Sequence, residues 1–121
     1  MSARLVTVAA AVAALALTPI ADGAPRVPSR LQVSADEFTL ALSRSSIRAG
    51  AAVVELVNYG EDDHDLALRR PGGVTRRIGI VHPGERGELE ATLRPGRYAV
   101  WCTLAGHRAR GMHTVLVVRA R

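Results

Sequence analysis

The chain has 121 residues, which is room for one domain, and 48% of them are hydrophobic, so it can bury a core. Only 3% are aromatic, so aliphatic side chains must fill that core. All basic residues are arginine and the formal net charge is +5, which favours acidic partners and leaves an anionic membrane surface open as a partner. Nucleic acid is excluded, because the arginines are scattered and are not interleaved with aromatic side chains that stack on bases.

Residues 1–23 are predicted to form a secretory signal peptide. Arg4 precedes an uncharged apolar run from Leu5 to Leu17, which is too short for a comfortable transmembrane helix and suits the core of an export signal. Small residues follow, and we expect cleavage after Gly23; an uncleaved membrane anchor is the alternative. The protein is therefore predicted to be exported to the periplasm, another extracytoplasmic space or the cell surface.

Residues 24–30 are predicted to form an extended linker because they contain two prolines, and residues 31–121 a single domain. Short apolar or alternating segments predict strands at 31–33, 37–42, 51–58, 64–68, 74–81, 87–93, 97–101 and 114–118, with a brief extended piece at 47–48. Glycine and proline turns separate these segments about every ten residues, and none has a helical period. The fold class is therefore all-β, a two-sheet sandwich of seven to eight strands.

Two of these segments carry specific predictions about burial. Val53, Leu56 and Val57 are expected in the core, because they belong to the most regular strand pattern in the chain. The continuous apolar run at 114–118 is typical of a strand that is buried on both faces.

A group of metal-ligand residue types follows the strand predicted at 97–101. Cys102 is the single cysteine, His107 lies five positions later and Met112 five positions after that. In an oxidising compartment an unpaired cysteine suggests a reactive, intermolecular or metal-bound sulfur; an inert buried thiol is the alternative. A thiolate, an imidazole and a thioether on one loop are ligands that copper prefers. The loop is therefore predicted to supply three ligands to one copper ion.

A second histidine is needed to complete a trigonal site with two imidazoles and a thiolate. His64 is the favoured candidate, since it stands where a loop enters a predicted strand. His82 lies in a His-Pro-Gly turn and is interpreted as a surface histidine. His113 follows Met112, so in an extended segment its side chain points to the opposite face, although it remains an alternative axial ligand.

Four segments resemble the cupredoxins, or blue copper proteins, of the azurin, auracyanin and plastocyanin type. They are Asn58-Tyr-Gly60, His64-Asp-Leu, Gly96-Arg-Tyr98 and the loop from Cys102 to Met112. The loop has the pattern Cys-x4-His-x4-Met with glycine before the histidine and before the methionine. The four residues between the cysteine and the histidine are similar to the spacing in azurins and auracyanins, whereas plastocyanins use a shorter loop. The resemblance implies a Greek-key β-sandwich with one type 1 copper, ligated by His64, Cys102, His107 and Met112, that shuttles single electrons.

The chain departs from the family pattern on both sides of His64. Asp65 stands where azurin-like members have asparagine, and a hydrogen bond from Thr103 to Asp65 is predicted to tie the two ligand segments together. A carboxylate near the sulfur is expected to lower the potential. The acidic run at 61–63 is interpreted as a solvated loop, with binding of other cations as the alternative.

The residues beside the cysteine narrow the function. Multicopper oxidases place histidines on both sides of it, whereas this chain has Trp101 and Thr103, so an oxidase cluster is excluded. Nucleophilic Cys–His catalysis leaves Met112 unexplained, and we therefore predict that the protein is not an enzyme. An extracytoplasmic copper carrier or buffer that uses the same ligands is the alternative function, and a sandwich module whose metal site is incidental is a third.

The resemblance also implies where a partner protein binds. In family members the edge of the loop histidine is exposed within an apolar patch, which would be formed here around His107 by Leu104, Ala105, Ala109 and the loop glycines. Arg108 and Arg110 lie beside it and are expected to steer a redox partner with an acidic docking face into a small interface. The protein itself is predicted to be a monomer.

Overall fold

The computed structural model describes residues 1–19 and 26–121. Residues 1–19 are exposed and form neither helix nor strand. Within the two described ranges, no helix is long and apolar enough to cross a membrane. The predicted cleavage after Gly23 and the start of the predicted linker lie outside the described residues, so the signal peptide, its cleavage and the anchor alternative stay predictions.

The folded part of the chain is almost entirely β-structure, which confirms the predicted fold class. The strands are β1 (Ser29–Asp36), β2 (Thr39–Leu42), β3 (Ser46–Arg48), β4 (Gly50–Asn58), β5 (His64–Arg69), β6 (Arg76–Val81), β7 (Arg86–Leu93), β8 (Gly96–Trp101) and β9 (His113–Arg119). A single helical turn, α1 (His107–Arg110), lies between β8 and β9. The described residues thus form nine strands where seven to eight were predicted, because the piece near Ile47 pairs with β9 as a strand of its own.

Two sheets pack face to face. One has the strand order β2-β1-β4-β7 and the other β3-β9-β8-β5-β6. The pairs β1–β4 and β3–β9 are parallel, and the remaining pairs are antiparallel. β1 begins at Ser29, before the predicted domain start at Leu31, since Ser29 already pairs with Ala52. In the second sheet β5 and β8 are antiparallel neighbours. The start of β5 at His64 therefore lies near the end of β8 at Trp101.

Alternation along the strands builds the core between the sheets. In β4 the inward residues are Ala52, Val54 and Leu56, and burial of a leucine of this kind contributes roughly 1.5–3 kcal/mol. The prediction for Leu56 is therefore confirmed. Val53 and Val57 are buried too, but they lie on the other face of β4, outside the core cluster, because successive side chains of a strand alternate.

The prediction that the last strand is buried on both faces is wrong. In β9 Leu116 and Val118 point into the core, whereas Val115 is 43% exposed and His113 is exposed. The outer side of this strand is not covered by another layer within the described part of the chain. The apolar run therefore reflects β-propensity on an open sheet face rather than burial.

Candidate metal centre

His64 is the first residue of β5, and its side chain is fully buried. Its Nε2 lies 3.1 Å from the Oε1 atom of Glu37, and its Nδ1 lies 3.2 Å from the Nδ1 of His107. A carboxylate only accepts hydrogen bonds, so the Nε2 of His64 carries the ring proton and donates a hydrogen bond to Glu37. The lone pair on the Nδ1 of His64 is then free to bind a metal ion.

Cys102 and His107 complete a three-residue cluster with His64. Cys102 directly follows β8 and is fully buried, and its Sγ lies 3.6 Å from the Nδ1 of His107. The His107 side chain is 15% exposed. The three potential ligand atoms all lie within 4.8 Å of one another. The structure thus brings together three of the four predicted ligands, from residues far apart in the sequence.

These distances fit a metal ion. Bonds of about 2.0–2.3 Å to nitrogen and sulfur, at angles between tetrahedral and trigonal, place two ligands of one ion about 3.3–3.8 Å apart. The observed separation of 3.6 Å between sulfur and nitrogen lies within that range, and the 3.2 Å between the imidazole nitrogens lies at its lower edge. Two imidazoles and a thiolate form the His2Cys set that suits copper, and a buried, partly closed cluster protects it from water.

Met112, the fourth predicted ligand, is fully buried in the core beside the cluster. Two backbone hydrogen bonds hold it: the Cys102 N–H donates to the Met112 carbonyl at 3.1 Å, and the Met112 N–H donates to the His107 carbonyl at 3.2 Å. These bonds close the ligand loop on itself. The role of the Met112 thioether as a weak axial ligand stays a prediction.

Glycines let the loop make its tight turns around α1. Gly106 has a φ of 77° and Gly111 a φ of 129°, which are left-handed conformations that favour glycine. A Cβ at Gly111 would lie 2.8 Å from the carbonyl oxygen of Phe38. The predicted loop thus contains one helical turn that sequence periodicity does not reveal, because four residues are too few to show a period.

The predicted hydrogen bond between Thr103 and Asp65 is confirmed. The Thr103 N–H donates to Asp65 Oδ1 at 2.6 Å, and the Thr103 hydroxyl donates to Asp65 Oδ2. The carboxylate thereby joins β5, which carries His64, to the loop that carries Cys102. The two hydrogen bonds from Thr103 to Asp65 replace the link that asparagine provides in the family pattern.

Burial raises the pKa of the Cys102 thiol above its ordinary value in the metal-free protein. Desolvation is the largest cause, because the thiolate would lose its contact with water. A metal ion binds the thiolate and not the thiol. Metal binding at this site must therefore release the Cys102 proton, and metal affinity is expected to rise with pH.

Glu37 is a site residue that the sequence does not reveal, since the local pattern predicts a strand there. It lies instead in the turn between β1 and β2, where a cis peptide bond joins it to Phe38. Hydrogen bonds from the backbone N–H groups of Asp62 and Glu61 lower the pKa of the Glu37 carboxyl to about 2. Nothing in its local sequence distinguishes this carboxylate from any other turn residue.

Asn58 holds the loop before His64, and its side chain is fully buried and makes three hydrogen bonds. Its amide donates to the carbonyls of Asp62 at 2.7 Å and Val81 at 2.9 Å, and its oxygen accepts from the Gly60 N–H at 2.8 Å. The segment Asn58-Tyr-Gly60 that resembles the cupredoxins therefore anchors the approach to the buried ligand.

The other histidines lie outside the cluster. His82 is exposed and its Nδ1 lies 2.8 Å from Asp63 Oδ1, an ion pair that raises the pKa of His82. His113 is exposed on the outer side of β9. Within residues 1–19 and 26–121, the acidic run at 61–63 contributes to no metal-holding group, and Asp62 lies 3.9 Å from the Nε2 of His107.

No protein-family model matches the sequence, and no curated protein matches it. Solved structures do match the fold. The dithionite-reduced auracyanin of Roseiflexus castenholzii superposes with a TM-score of 0.63 at 17% identity, covering 78% of this chain and 99% of that one. Auracyanin A of Chloroflexus aurantiacus, described as a "blue" copper protein, gives 0.63 at 16% identity, with 77% and 100% covered.

Auracyanin B gives a TM-score of 0.61 at 20% identity, covering 78% of this chain and 92% of that one. The matched region is nearly the whole of each auracyanin chain and the folded part of this one. Identities in this range establish the fold and not the bound group. The chain therefore has the β-sandwich fold of the auracyanins, which is the cupredoxin fold predicted from the sequence.

Proposed function

We propose that the protein is an exported mononuclear type 1 copper protein that carries single electrons between redox partners. The observation that carries this proposal is the convergence of two imidazole nitrogens and one cysteine sulfur at metal-ligand spacing. Copper is favoured over other metals because the set contains a thiolate and two imidazoles, with a buried thioether next in the same loop. The auracyanin fold agrees with this assignment.

The protein holds its ligands so that little has to move during electron transfer. When bound, copper supplies a one-electron couple between Cu(II) and Cu(I). His64 and Cys102 are fully buried, fixed by Glu37 and by the backbone of Met112, and they keep water away from the centre. His107 is partly exposed, so the edge of one ligand ring reaches the surface where a partner protein can approach.

The surface around His107 supports docking of an acidic partner. A shallow depression of about 650 Å³ lies over the loop and is lined mainly by apolar groups. These include Trp101, Leu104, Ala105 and Ala109. His107 is not part of the lining, but its neighbours Gly106 and Arg108 are, and the Arg108 guanidinium lies 4.8 Å from the Trp101 ring. The Arg110 guanidinium lies outside the lining, 4.6 Å from the ring of Phe38, which itself packs against His107. An apolar centre with cationic edges suits a small, short-lived interface.

The charge distribution over the two sheets points the same way. The five-stranded sheet contains β5, which begins with His64, and β8, which ends just before Cys102. Its strands carry six arginines and one carboxylate. The arginines, all exposed, are Arg48, Arg69, Arg76, Arg77, Arg97 and Arg119. The strands of the four-stranded sheet carry two arginines and four carboxylates. Long-range attraction would therefore turn the ligand-bearing side toward an acidic protein.

The site assignment is tested by adding Cu(II) to the purified protein. We expect an intense visible band from thiolate-to-copper charge transfer, and we expect Cys102→Ser to lose it. A colourless wild-type complex, or a band that survives in Cys102→Ser, would refute the assignment.

Electron self-exchange, measured by NMR line broadening in mixtures of the Cu(I) and Cu(II) forms, then separates the two functions. Rapid exchange is expected for an electron carrier, because the ligands are held in one arrangement and His107 reaches the surface. Very slow exchange, combined with transfer of copper to a chelating acceptor protein, would favour the copper carrier or buffer instead.

A further inference from the structure

A carboxylate lies directly behind the buried histidine ligand. The Oε1 atom of Glu37 is 3.1 Å from the Nε2 of His64, on the side of the ring away from the ligand cluster. The same oxygen accepts hydrogen bonds from the backbone N–H groups of Glu61 at 2.9 Å and Asp62 at 2.7 Å. The His64 side chain is fully buried and that of Glu37 is 26% exposed, so the contact is largely shielded from water.

The surrounding loop is shaped around this carboxylate. A Cβ at Gly60 would collide with both carboxylate oxygens of Glu37, so the carboxylate occupies the space that a side chain at position 60 would fill. The hydrogen bond to the Asp62 N–H also holds the residue whose side chain lies 3.9 Å from the Nε2 of His107. Glu37 thus contacts one histidine ligand directly and positions the backbone of the acidic residue beside the other.

An anionic acceptor on the far nitrogen of a histidine has two effects on a metal bound at the near nitrogen. It fixes the tautomer and the ring orientation, because the Nε2 proton must point at the carboxylate. It also makes the imidazole a more basic donor, which favours the more highly charged metal ion. The geometry meets the requirement for both effects, since the Oε1 of Glu37 and the Nε2 of His64 are within hydrogen-bond distance.

We propose that Glu37 is a positioning residue for the copper centre: it holds His64 with Nδ1 directed at the metal and stabilises Cu(II) relative to Cu(I). The potential effect rests on the proposed function, whereas the orientation of His64 is a property of the protein without metal. The proposal adds a ligand-supporting carboxylate, twenty-seven residues upstream of the ligand, to the four residues of the site.

The first test uses the metal-free protein and long-range ¹H–¹⁵N NMR spectra of the histidine rings. Wild-type His64 is expected to show a single tautomer with the proton on Nε2, and Glu37→Ala is expected to lose that single form. A wild-type ring protonated on Nδ1, or an unchanged spectrum in a folded Glu37→Ala variant, would overturn the proposal.

The second test uses the copper-loaded protein and the variant Glu37→Gln, which keeps an oxygen acceptor but removes the charge. We expect the preference for Cu(II) over Cu(I) to fall about tenfold, the lower end of the effect of losing such a partner. For a one-electron couple this corresponds to a rise in potential of about 59 mV. Because glutamine retains the hydrogen bond, this variant keeps the test open if Glu37→Ala does not fold.

Glu61→Gln is the matched control, since it removes a carboxylate from the same loop and keeps the backbone N–H that bonds Glu37. Its potential is expected to change far less than that of Glu37→Gln. Equal shifts in the two variants would show a general charge effect and overturn the tuning role. If the wild-type protein forms no blue copper complex, the proposed function fails, but the metal-free spectra still decide whether Glu37 orients His64.

Discussion

His64 and His107 direct the same ring atom toward one centre from different surroundings. His64 begins a strand, is fully buried, and has its second nitrogen on a carboxylate at 3.1 Å. His107 begins a single helical turn in a loop, is 15% exposed, and has Asp62 at 3.9 Å, beyond hydrogen-bond distance. One half of the centre is therefore built into the sheet, and the other half reaches solvent.

The largest difference between the two histidines is expected when each imidazole is deleted and the blue absorption band is measured. Both His64→Gly and His107→Gly should lose the blue band, because each removes one of three strong ligands. Free imidazole added to the solution should restore the band in His107→Gly, whose position is partly exposed, and not in His64→Gly, whose position is fully buried.

Visible titration with imidazole checks this difference, with Cys102→Ser as the control that imidazole cannot repair. Equal restoration in both glycine variants would show that the buried half is as accessible as the exposed half.

A second prediction concerns the stability of the loop that carries His107, measured as the free energy of unfolding. Gly111→Ala places a side chain at a φ of 129° and against the Phe38 carbonyl, so we expect a loss of about 1–3 kcal/mol in the free energy of unfolding. Urea unfolding of the metal-free protein measures it. Gly79→Ala is the control: its Cβ would meet no atom within 4 Å, and a change within about 0.5 kcal/mol is expected. Similar losses in the two variants would contradict a strained Gly111.

A smaller effect is expected from Met112→Leu, which preserves the buried volume while replacing the thioether. Copper binding should persist, because the three strong ligands remain, and the potential should rise as a weak donor to Cu(II) is lost. Voltammetry together with a copper competition assay measures both quantities. Loss of copper binding would mean that the thioether is a principal ligand and not an axial one.

The smallest effect is expected outside both halves, at the exposed pair of His82 and Asp63. Because the pKa of His82 is raised in the folded protein, the pair stabilises the fold fully below the unfolded value of about 6.5, and this stabilisation disappears as pH rises through the higher folded value. His82→Gln should therefore lower the melting temperature slightly at about pH 5.5 and leave it unchanged at about pH 8.5. A difference that is the same at both pH values would exclude the ion pair as its cause.

The sequence predicts that Cys102 and His107 come together, because they are close in the chain and their spacing is itself the signal. The strand positions follow from turns and alternation, and the Asp65–Thr103 bond follows from the resemblance to cupredoxins. These features depend on local patterns or on a family pattern that can be read residue by residue.

The contacts behind the buried half could not be predicted in the same way. The contact of Glu37 with His64 depends on how the β1–β2 turn packs against a distant loop, and neither the strand pattern nor the ligand spacing encodes that packing. The exposure of Val115 was missed for a related reason, since an apolar strand reads alike whether or not another layer covers it. Long-range packing decides both.

The bonds that hold the ligand residues bear on the order of folding and metal loading. Glu37 bonds the loop before His64, Asp65 bonds Thr103, and Cys102 bonds Met112, each through protein groups alone. Small zinc domains, by contrast, take their folding energy from the metal. The arrangement of the ligand residues in this chain is therefore expected to form without a metal, so that copper binds to a site whose shape is already set.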